Sequence, residues 1–213
     1  MFRFPRCVDG ARRLEISARL RYTRGKKPQW LKRLCKENTM IRHASLSDLD
    51  AVAAIYDAIH DREEAGLAVI GWDRSTYPTR ATAESSIRAG DMFVLEEEGR
   101  VLAAAKINQK QEEAYLRAAW TQEAEDSAVM VLHTLVVHPE AAGRGIGKRF
   151  VAFYEGYAAE QGCPYLRMDT NERNAAARAL YRKLGYAEVS IVPCVFNGIA
   201  GVNLVCLEKT LAH

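Results

Sequence analysis

A cluster of glycines and cations, Gly143-Arg-Gly-Ile-Gly-Lys148, stands where a predicted strand gives way to a predicted helix. Unpaired backbone N–H groups and the helix dipole at such a junction favour an anion. Glycine lets the backbone approach the anion closely, while Arg144, Lys148 and Arg149 add positive charge. The pattern therefore predicts a phosphate-binding loop.

Two common phosphate motifs do not fit this cluster. A P-loop needs glycine at position 142 and Ser or Thr at position 149, where Ala142 and Arg149 stand. The dinucleotide fingerprint G-x-G-x-x-G needs a third glycine where Lys148 stands. A different kind of phosphate ligand is expected.

Metal chemistry has little support in the sequence. No cysteine pair has C-x-x-C spacing, and no histidines have H-x-x-x-H or H-E-x-x-H spacing on a helical stretch. The five cysteines are odd in number and widely spaced, which favours free thiols; they are Cys7, Cys35, Cys163, Cys194 and Cys206. We assign no metal.

Charge divides the 213 residues into two parts. Residues 1–39 hold 12 Lys and Arg against 3 Asp and Glu, which leaves 18 against 24 for residues 40–213. The basic segment suits nucleic acid, an anionic membrane or a transit peptide. It is equally explained as a disordered extension or as a mis-assigned start. Translation from Met40 is an alternative because Lys36-Glu37, just before it, can be encoded by AAG-GAG, the purine-rich ribosome-binding sequence of bacterial messages.

Residues 40–213 are expected to form one catalytic domain. No run of 18 apolar residues occurs and the N-terminus lacks a secretory pattern, so a cytoplasmic protein with no membrane span is expected. Periodicity predicts helices that begin at Ser45 or Ser47, at Thr79 or Thr82, and near Gly145 and Asn174. Strands are predicted over 41–44, 92–98, 101–108, 129–137, 165–168, 187–192 and 201–208, with a loop over 110–127.

These elements predict a mixed α/β sheet flanked by helices. The strand over 129–137 is apolar on both faces apart from His133 and Thr134, so it should be central. Asn174 and Tyr181 are seven residues apart, which places them about 20° from alignment on one helix face with Ala177 between them. A ligand can lie along that face.

Two stretches resemble motifs of the GNAT acetyltransferases. Leu135 to Lys148 is similar to the family's acetyl-CoA pyrophosphate motif, Q/R-x-x-G-x-G/A, except that Ala142 stands where Gln or Arg is usual. Asp169 to Tyr186 is similar to its second motif, N-x-x-A-x-x-L-Y-x-K-x-G-F/Y. The resemblance covers about 41–210, and it is strongest over 129–187.

The resemblance implies a six- to seven-stranded, mostly antiparallel sheet with about four helices and a splayed parallel strand pair that holds acetyl-CoA. In the family, backbone amides on the first strand of that pair face the thioester, which implies an oxyanion donor near Leu135 to Val137. The cofactor-binding residues implied here are Leu135, Val136, Val137, Gly143, Arg144, Gly145, Ile146, Gly147, Lys148, Asn174, Ala177 and Tyr181.

Amine acetylation needs a neutral amine, a stabilised oxyanion and a proton for the departing thiolate. The motif makes Tyr181 the candidate acid. Leu132 to His138 resembles a strand of the arylalkylamine N-acetyltransferases on which a histidine acts as base, so His133 is the candidate base. The family's acceptor pocket implies roles for Trp72, Tyr77 and Asn108 in binding the amine.

Three functions remain open from the sequence. The first is an N-acetyltransferase, monomeric or dimeric, that moves an acetyl group from acetyl-CoA to a small or peptide primary amine by direct attack. The second is a non-catalytic acyl-CoA sensor of the same fold. The third, which the charge of residues 1–39 alone supports, is a nucleic-acid-binding protein.

Overall fold

Four helices flank a single mixed sheet in the computed structural model of the protein, which describes residues 39–211. The helices are α1 (Leu49–Glu64), α2 (Arg80–Arg88), α3 (Ile146–Glu160) and α4 (Ala175–Lys183). The strands are β1 (Thr39–His43), β2 (Met92–Glu97), β3 (Arg100–Asn108), β4 (Val129–Val137), β5 (Tyr165–Asn171), β6 (Ala187–Phe196) and β7 (Ile199–Thr210). The expectations for residues 1–38 lie outside the described residues.

The strands lie in the order β1-β2-β3-β4-β5-β7-β6, and every adjacent pair is antiparallel except β4 and β5. This confirms the predicted mixed sheet and places β4 at its centre. The centre is where the sequence VMVLHTLVV belongs, because both of its faces are apolar and both are covered. Within the described part of the chain, no helix has the length and hydropathy to cross a bilayer.

The helix starts follow from local capping. Thr79 precedes α2, and its hydroxyl accepts a hydrogen bond from the Thr82 N–H at 3.3 Å. A 3-10 turn over Leu46–Asp48 precedes α1, with Ser45 and Asp48 in a capping box. The apolar positions of α1, at Leu49, Val52, Ile55 and Ile59, are buried, so the helix packs on one face of the sheet together with α2.

The opposite face of the sheet is covered by α3. Phe150, Val151 and Tyr154 are fully buried there against strand residues such as Leu132 and Met168. Tyr154 also donates hydrogen bonds from its hydroxyl to the main-chain oxygens of β4 and β5, at 2.6 and 3.1 Å. This core fixes α3, and with it the glycine loop at the α3 N-terminus.

The segment over 110–127 differs from the predicted loop. It contains two 3-10 helices, Glu113–Arg117 and Asp126–Ala128, and Tyr115 within it is buried against the sheet. A polar segment with one or two apolar anchors has no periodicity, which is why the sequence pattern indicates only a loop. The segment covers β4 and β5 on the face opposite α3.

The parallel pair β4–β5 is joined over only part of its length. Register pairs run from Val129–Tyr165 to Leu132–Met168, after which β4 and β5 each continue without pairing to the other. At that point β4 carries a bulge, where Thr134 adopts a φ of 51° and the ladder to β3 shifts. The two strands therefore separate toward their carboxyl ends and open a gap in the sheet.

Candidate active site

A cavity of about 620 Å³ occupies the gap between the ends of β4 and β5. It is bounded by the last residues of both strands, the N-terminal part of α4, the segment 67–72 and the β6–β7 hairpin. Eight of the predicted cofactor or acceptor residues line it besides Tyr181: Leu135, Val136, Val137, Gly147, Asn174, Ala177, Trp72 and Tyr77. The gap thus brings the two sequence motifs into one site.

The main chain of β4 presents a donor to this cavity. His138 donates its main-chain N–H to the Leu102 oxygen at 2.8 Å, so the N–H of residue 138 points toward β3. Because N–H groups alternate along a strand, the Val137 N–H points away from β3 and toward the gap. No strand of the sheet pairs with β4 on that side beyond Leu132, which leaves the donor available to a ligand.

Helix α4 places Tyr181 over the cavity. Asn174 caps the helix, and its side-chain oxygen accepts the Ala177 N–H at 3.1 Å. Two turns later Tyr181 is only 6% exposed, lines the cavity and makes no hydrogen bond from its hydroxyl to any described residue. Burial raises the pKa of Tyr181 above its ordinary value, and the nearby charge of Asp169 raises it further. The hydroxyl stays protonated and can donate to a ligand.

The glycine loop leads into α3 at the open end of the cavity. Gly143 and Gly145 have φ of 76° and 74°, a left-handed conformation that favours glycine, and Gly145 is the N-cap of α3. Gly147 lines the cavity, and a side chain added there would come within 3.2 Å of Leu180. The loop therefore uses glycine both for its turn and for close contact with α4.

The other predicted residues of the loop lie outside the cavity wall. Ile146 is buried in the core, and Gly143, Gly145 and Lys148 are not among the residues that line the cavity. The Arg144 guanidinium forms an ion pair with Glu97. Glu97 also lies 3.8 Å from Arg149, so both arginines have a carboxylate near them. Arg144 must exchange this partner if it is to meet a phosphate.

Asp169 is a cavity residue that the sequence motifs did not single out as functional. It lies on β5 just beyond the last register pair with β4, and it lines the cavity. The Tyr115 hydroxyl donates to its Oδ2 at 2.7 Å. Burial raises the pKa of Asp169 to about 6, partly offset by the Tyr115 hydrogen bond. Asp169 stands directly after a predicted strand and inside the second motif, and this position is the sequence feature that could have identified it as a site residue.

His133 opens instead onto a second cavity of about 190 Å³. Its Nε2 lies 3.0 Å from Asn108 Oδ1 and its Nδ1 lies 3.1 Å from Glu112 Oε1. The His133 hydrogen bond lowers the pKa of Glu112. Both ring nitrogens thus face acceptor oxygens, and a direct proton transfer from an amine to His133 requires one of these contacts to open.

The three predicted acceptor residues, Trp72, Tyr77 and Asn108, lie in different positions relative to the two cavities. Trp72 lines the larger one, while Tyr77 lines both and its hydroxyl is hydrogen-bonded to Thr134 on the β4 bulge. Asn108 lines neither, because its side chain is held between Asp91, at 2.8 Å, and His133. The structure therefore places Asn108 behind His133 and not on a cavity wall.

Glu63 fixes the segment that carries Trp72. Its carboxylate accepts hydrogen bonds from the main-chain N–H groups of Ile70, Gly71 and Trp72, at 3.0, 2.6 and 3.3 Å. Gly71 packs closely on β5, where an added side chain would meet Asn171. In residues 39–211, no group of three or more His, Cys, Asp or Glu side chains is arranged to hold a metal ion.

Known proteins share this fold. An acetyltransferase of the GNAT family from Streptococcus agalactiae has a TM-score of 0.68 at 23% identity, over 82% of this chain and 96% of that one. The putative acetyltransferase yncA from Salmonella typhimurium, solved with its cofactor acetyl-CoA, has a TM-score of 0.60 at 21% identity, over 83% and 95%. These likenesses show a common fold.

Sequence comparison identifies the family. The uncharacterized N-acetyltransferase YhfO of Bacillus subtilis is 35% identical over 60 residues, and this match spans 28% of the chain and only 40% of that relative. The sequence profile of the acetyltransferase (GNAT) family matches residues 52–186, which is more than half of the chain. The protein belongs to the acetyltransferase (GNAT) family.

Proposed function

We propose that the protein transfers an acetyl group from acetyl-CoA to a primary amine in the gap between β4 and β5. The observation that carries this proposal is the free edge of β4 beyond Leu132, where the Val137 N–H meets the same cavity as the Tyr181 hydroxyl. A main-chain donor and a protonated hydroxyl on opposite walls suit the oxyanion and the leaving thiolate. The solved acetyl-CoA complex of yncA supports the choice of cofactor.

The residues around the cavity fit acetyl-CoA in size and chemistry. The amides of 143–148 and the α3 dipole suit the pyrophosphate, while the small side chain of Ala177 leaves room for the pantetheine arm along α4. The Asn174 side-chain oxygen caps the helix, and its nitrogen makes no hydrogen bond to a residue that the structure describes. Leu135 and Val137 on β4 then face the thioester from the other side.

The reaction follows from these positions. The neutral amine attacks the thioester carbonyl, the main-chain donors of 135–137 stabilise the oxyanion, and the C–S bond breaks as the thiolate leaves. Tyr181 gives the thiolate a proton and recovers one from the nitrogen of the tetrahedral intermediate, directly or through water, so the proton count closes. A phenol is ordinarily a weaker acid than a thiol, and burial disfavours the anions of both, so the proton transfer costs only the difference between the two pKa values.

An amine is protonated at neutral pH, so a group must accept its proton before attack. We propose His133 as this group, acting with Glu112, which supplies the negative charge that stabilises an imidazolium. Asp169 is a second candidate, because it lines the larger cavity and is ionised above a pH of about 6. Replacing each in turn and recording the pH dependence of kcat/KM separates the two roles.

Thiol release from acetyl-CoA across a panel of primary amines, with the products weighed by mass spectrometry, tests the proposal. We expect release that depends on the amine and yields one acetylated amine per thiol. A non-catalytic acyl-CoA sensor would bind acetyl-CoA and release none. Release of thiol without any acetylated amine would indicate hydrolysis and would overturn amine transfer.

A further inference from the structure

The smaller cavity is lined mainly by polar residues from strands, helices and loops that are far apart in the sequence. Met92, Lys106 and His133 form a row across β2, β3 and β4, because they are register partners in the two ladders. Tyr56 from α1 closes one side, and Thr82 and Ser86 from α2 lie beside it. Residues that face each other across antiparallel strands share one face of the sheet, so the row forms a continuous floor.

Two of these groups make no hydrogen bond or short ion pair within residues 39–211. Tyr56 is 3% exposed, yet its hydroxyl makes no hydrogen bond with any described residue and borders the cavity. Lys106 is half-buried, and no carboxylate of residues 39–211 lies within 4 Å of its ammonium group. Both donors border the cavity, so an anion bound there can accept a hydrogen bond from each. Their convergence indicates a ligand group that accepts hydrogen bonds and carries negative charge.

A negative group, Glu112, lines the same cavity, close enough to Lys106 for their charges to attract. Glu112 is held by His133, and the hydrogen bond lowers its pKa, so it is ionised at neutral pH. Tyr77 and Thr134 line both this cavity and the larger one, so they mark the boundary between them. A ligand that carries both an anion and an ammonium group can pair with Lys106 and with Glu112 in a cavity that adjoins the larger one.

We propose that the smaller cavity binds the acceptor, and that the acceptor is a small primary amine bearing a carboxylate, as an amino acid does. This inference rests on the proposed function and names its substrate class. A purely apolar amine would leave Tyr56 and Lys106 unpaired, and a polyamine would bring further positive charge to Lys106. A zwitterion matches the cavity, which holds one lysine and one glutamate among its lining residues.

The test compares amino acids with their carboxamides: glycine, L-serine and L-methionine, each against its amide. KM is measured for the wild type, Lys106→Met and Tyr56→Phe. We expect Lys106→Met to raise KM for each acid at least about 10-fold more than for its amide, with a smaller effect of Tyr56→Phe. For each substrate the KM of the variant is divided by the KM of the wild type. The difference in amine pKa between an amino acid and its amide therefore cancels. Lys110→Met, which removes the same charge from an exposed position nearby, should change neither.

Two results would overturn the proposal. One is that Lys106→Met changes KM for acids and amides by the same factor, and the other is that amides are acetylated while acids are not. If the wild type acetylates no amine at all, the proposed function fails, and calorimetry of the same acids with the CoA-loaded protein then decides the cavity's role. Acid binding that Lys106→Met weakens at least 10-fold would retain the anion site, and absence of binding would reject it.

Discussion

At the scale of single residues, Tyr181 is both part of the hydrophobic core and part of the cavity wall. Its ring packs edge-on against Tyr186 at 6.1 Å between ring centroids, while its hydroxyl makes no hydrogen bond within residues 39–211 and faces the larger cavity. The ring belongs to the core and the hydroxyl is open to the cavity, so it can donate a hydrogen bond to a ligand bound there.

Tyr181→Phe should lower kcat by roughly 100-fold, because an acid that protonates the leaving group contributes on that order. The Kd for acetyl-CoA should change little, since the ring and its packing remain. Steady-state kinetics and calorimetry measure the two. Tyr186→Phe is the matched control, because its hydroxyl contacts Glu155 and not the cavity. A Tyr181→Phe enzyme with wild-type kcat would remove Tyr181 from the mechanism.

Asp169→Asn should stabilise the protein at pH 8 more than at pH 4. The folded pKa of about 6 lies above the ordinary value of 3.8, so the carboxyl has no effect on stability below pH 3.8, costs stability increasingly between pH 3.8 and 6, and costs a constant amount above pH 6. The gain should approach roughly 1–3 kcal/mol at pH 8, allowing for water in the cavity. Urea unfolding at both pH values measures it, and an equal gain at both would contradict this cause.

At the scale of elements, the separation of β4 from β5 creates the site. The bulge at Thr134 and the end of pairing at Leu132–Met168 open the gap, and α3 and α4 bring the glycine loop and Tyr181 to its edges. A flat, fully paired sheet with the same residues would have no room for a ligand.

Ala177→Leu should weaken acetyl-CoA binding at least about 10-fold, because the larger side chain would occupy the wall along which the pantetheine arm is proposed to lie. Calorimetry measures Kd. Ala179→Leu on the same helix adds the same side chain at an exposed position away from the cavity and should leave Kd unchanged. Equal affinities in the two variants would place the arm elsewhere.

Much of this arrangement was visible in the sequence. The bounds of β4, the cap of α2 and the shared face of Asn174 and Tyr181 follow from apolar pattern and spacing. Three features depend on contacts between distant segments, so no local pattern predicts them: the end of β4–β5 pairing at Leu132, the left-handed Thr134 and the burial of Tyr115. Asp169 and Glu112 were missed for the same reason, since each acquires its partner only through the fold.

At the scale of the whole molecule, the cavity lies where both halves of the sheet and three helices meet. A ligand that fills it links parts of the chain that are otherwise held by separate cores. Binding to the folded state alone must then raise its stability by mass action.

Acetyl-CoA at 100 times its Kd should stabilise the protein by about 2.7 kcal/mol, which corresponds to a rise in Tm of roughly 5–10 °C. Differential scanning calorimetry measures the shift. Desulfo-CoA lacks the thioester but keeps the pyrophosphate, so it should also raise Tm. No shift at a millimolar concentration of acetyl-CoA would count against both an enzyme and a sensor.

A crystal structure with acetyl-CoA bound tests the central claim most directly. We predict that the thioester carbonyl oxygen lies about 2.7–3.1 Å from a main-chain N–H of residues 135–137, with the sulfur beside the Tyr181 hydroxyl. An acetyl group bound outside the gap between β4 and β5, or without a main-chain donor from β4, would contradict the account.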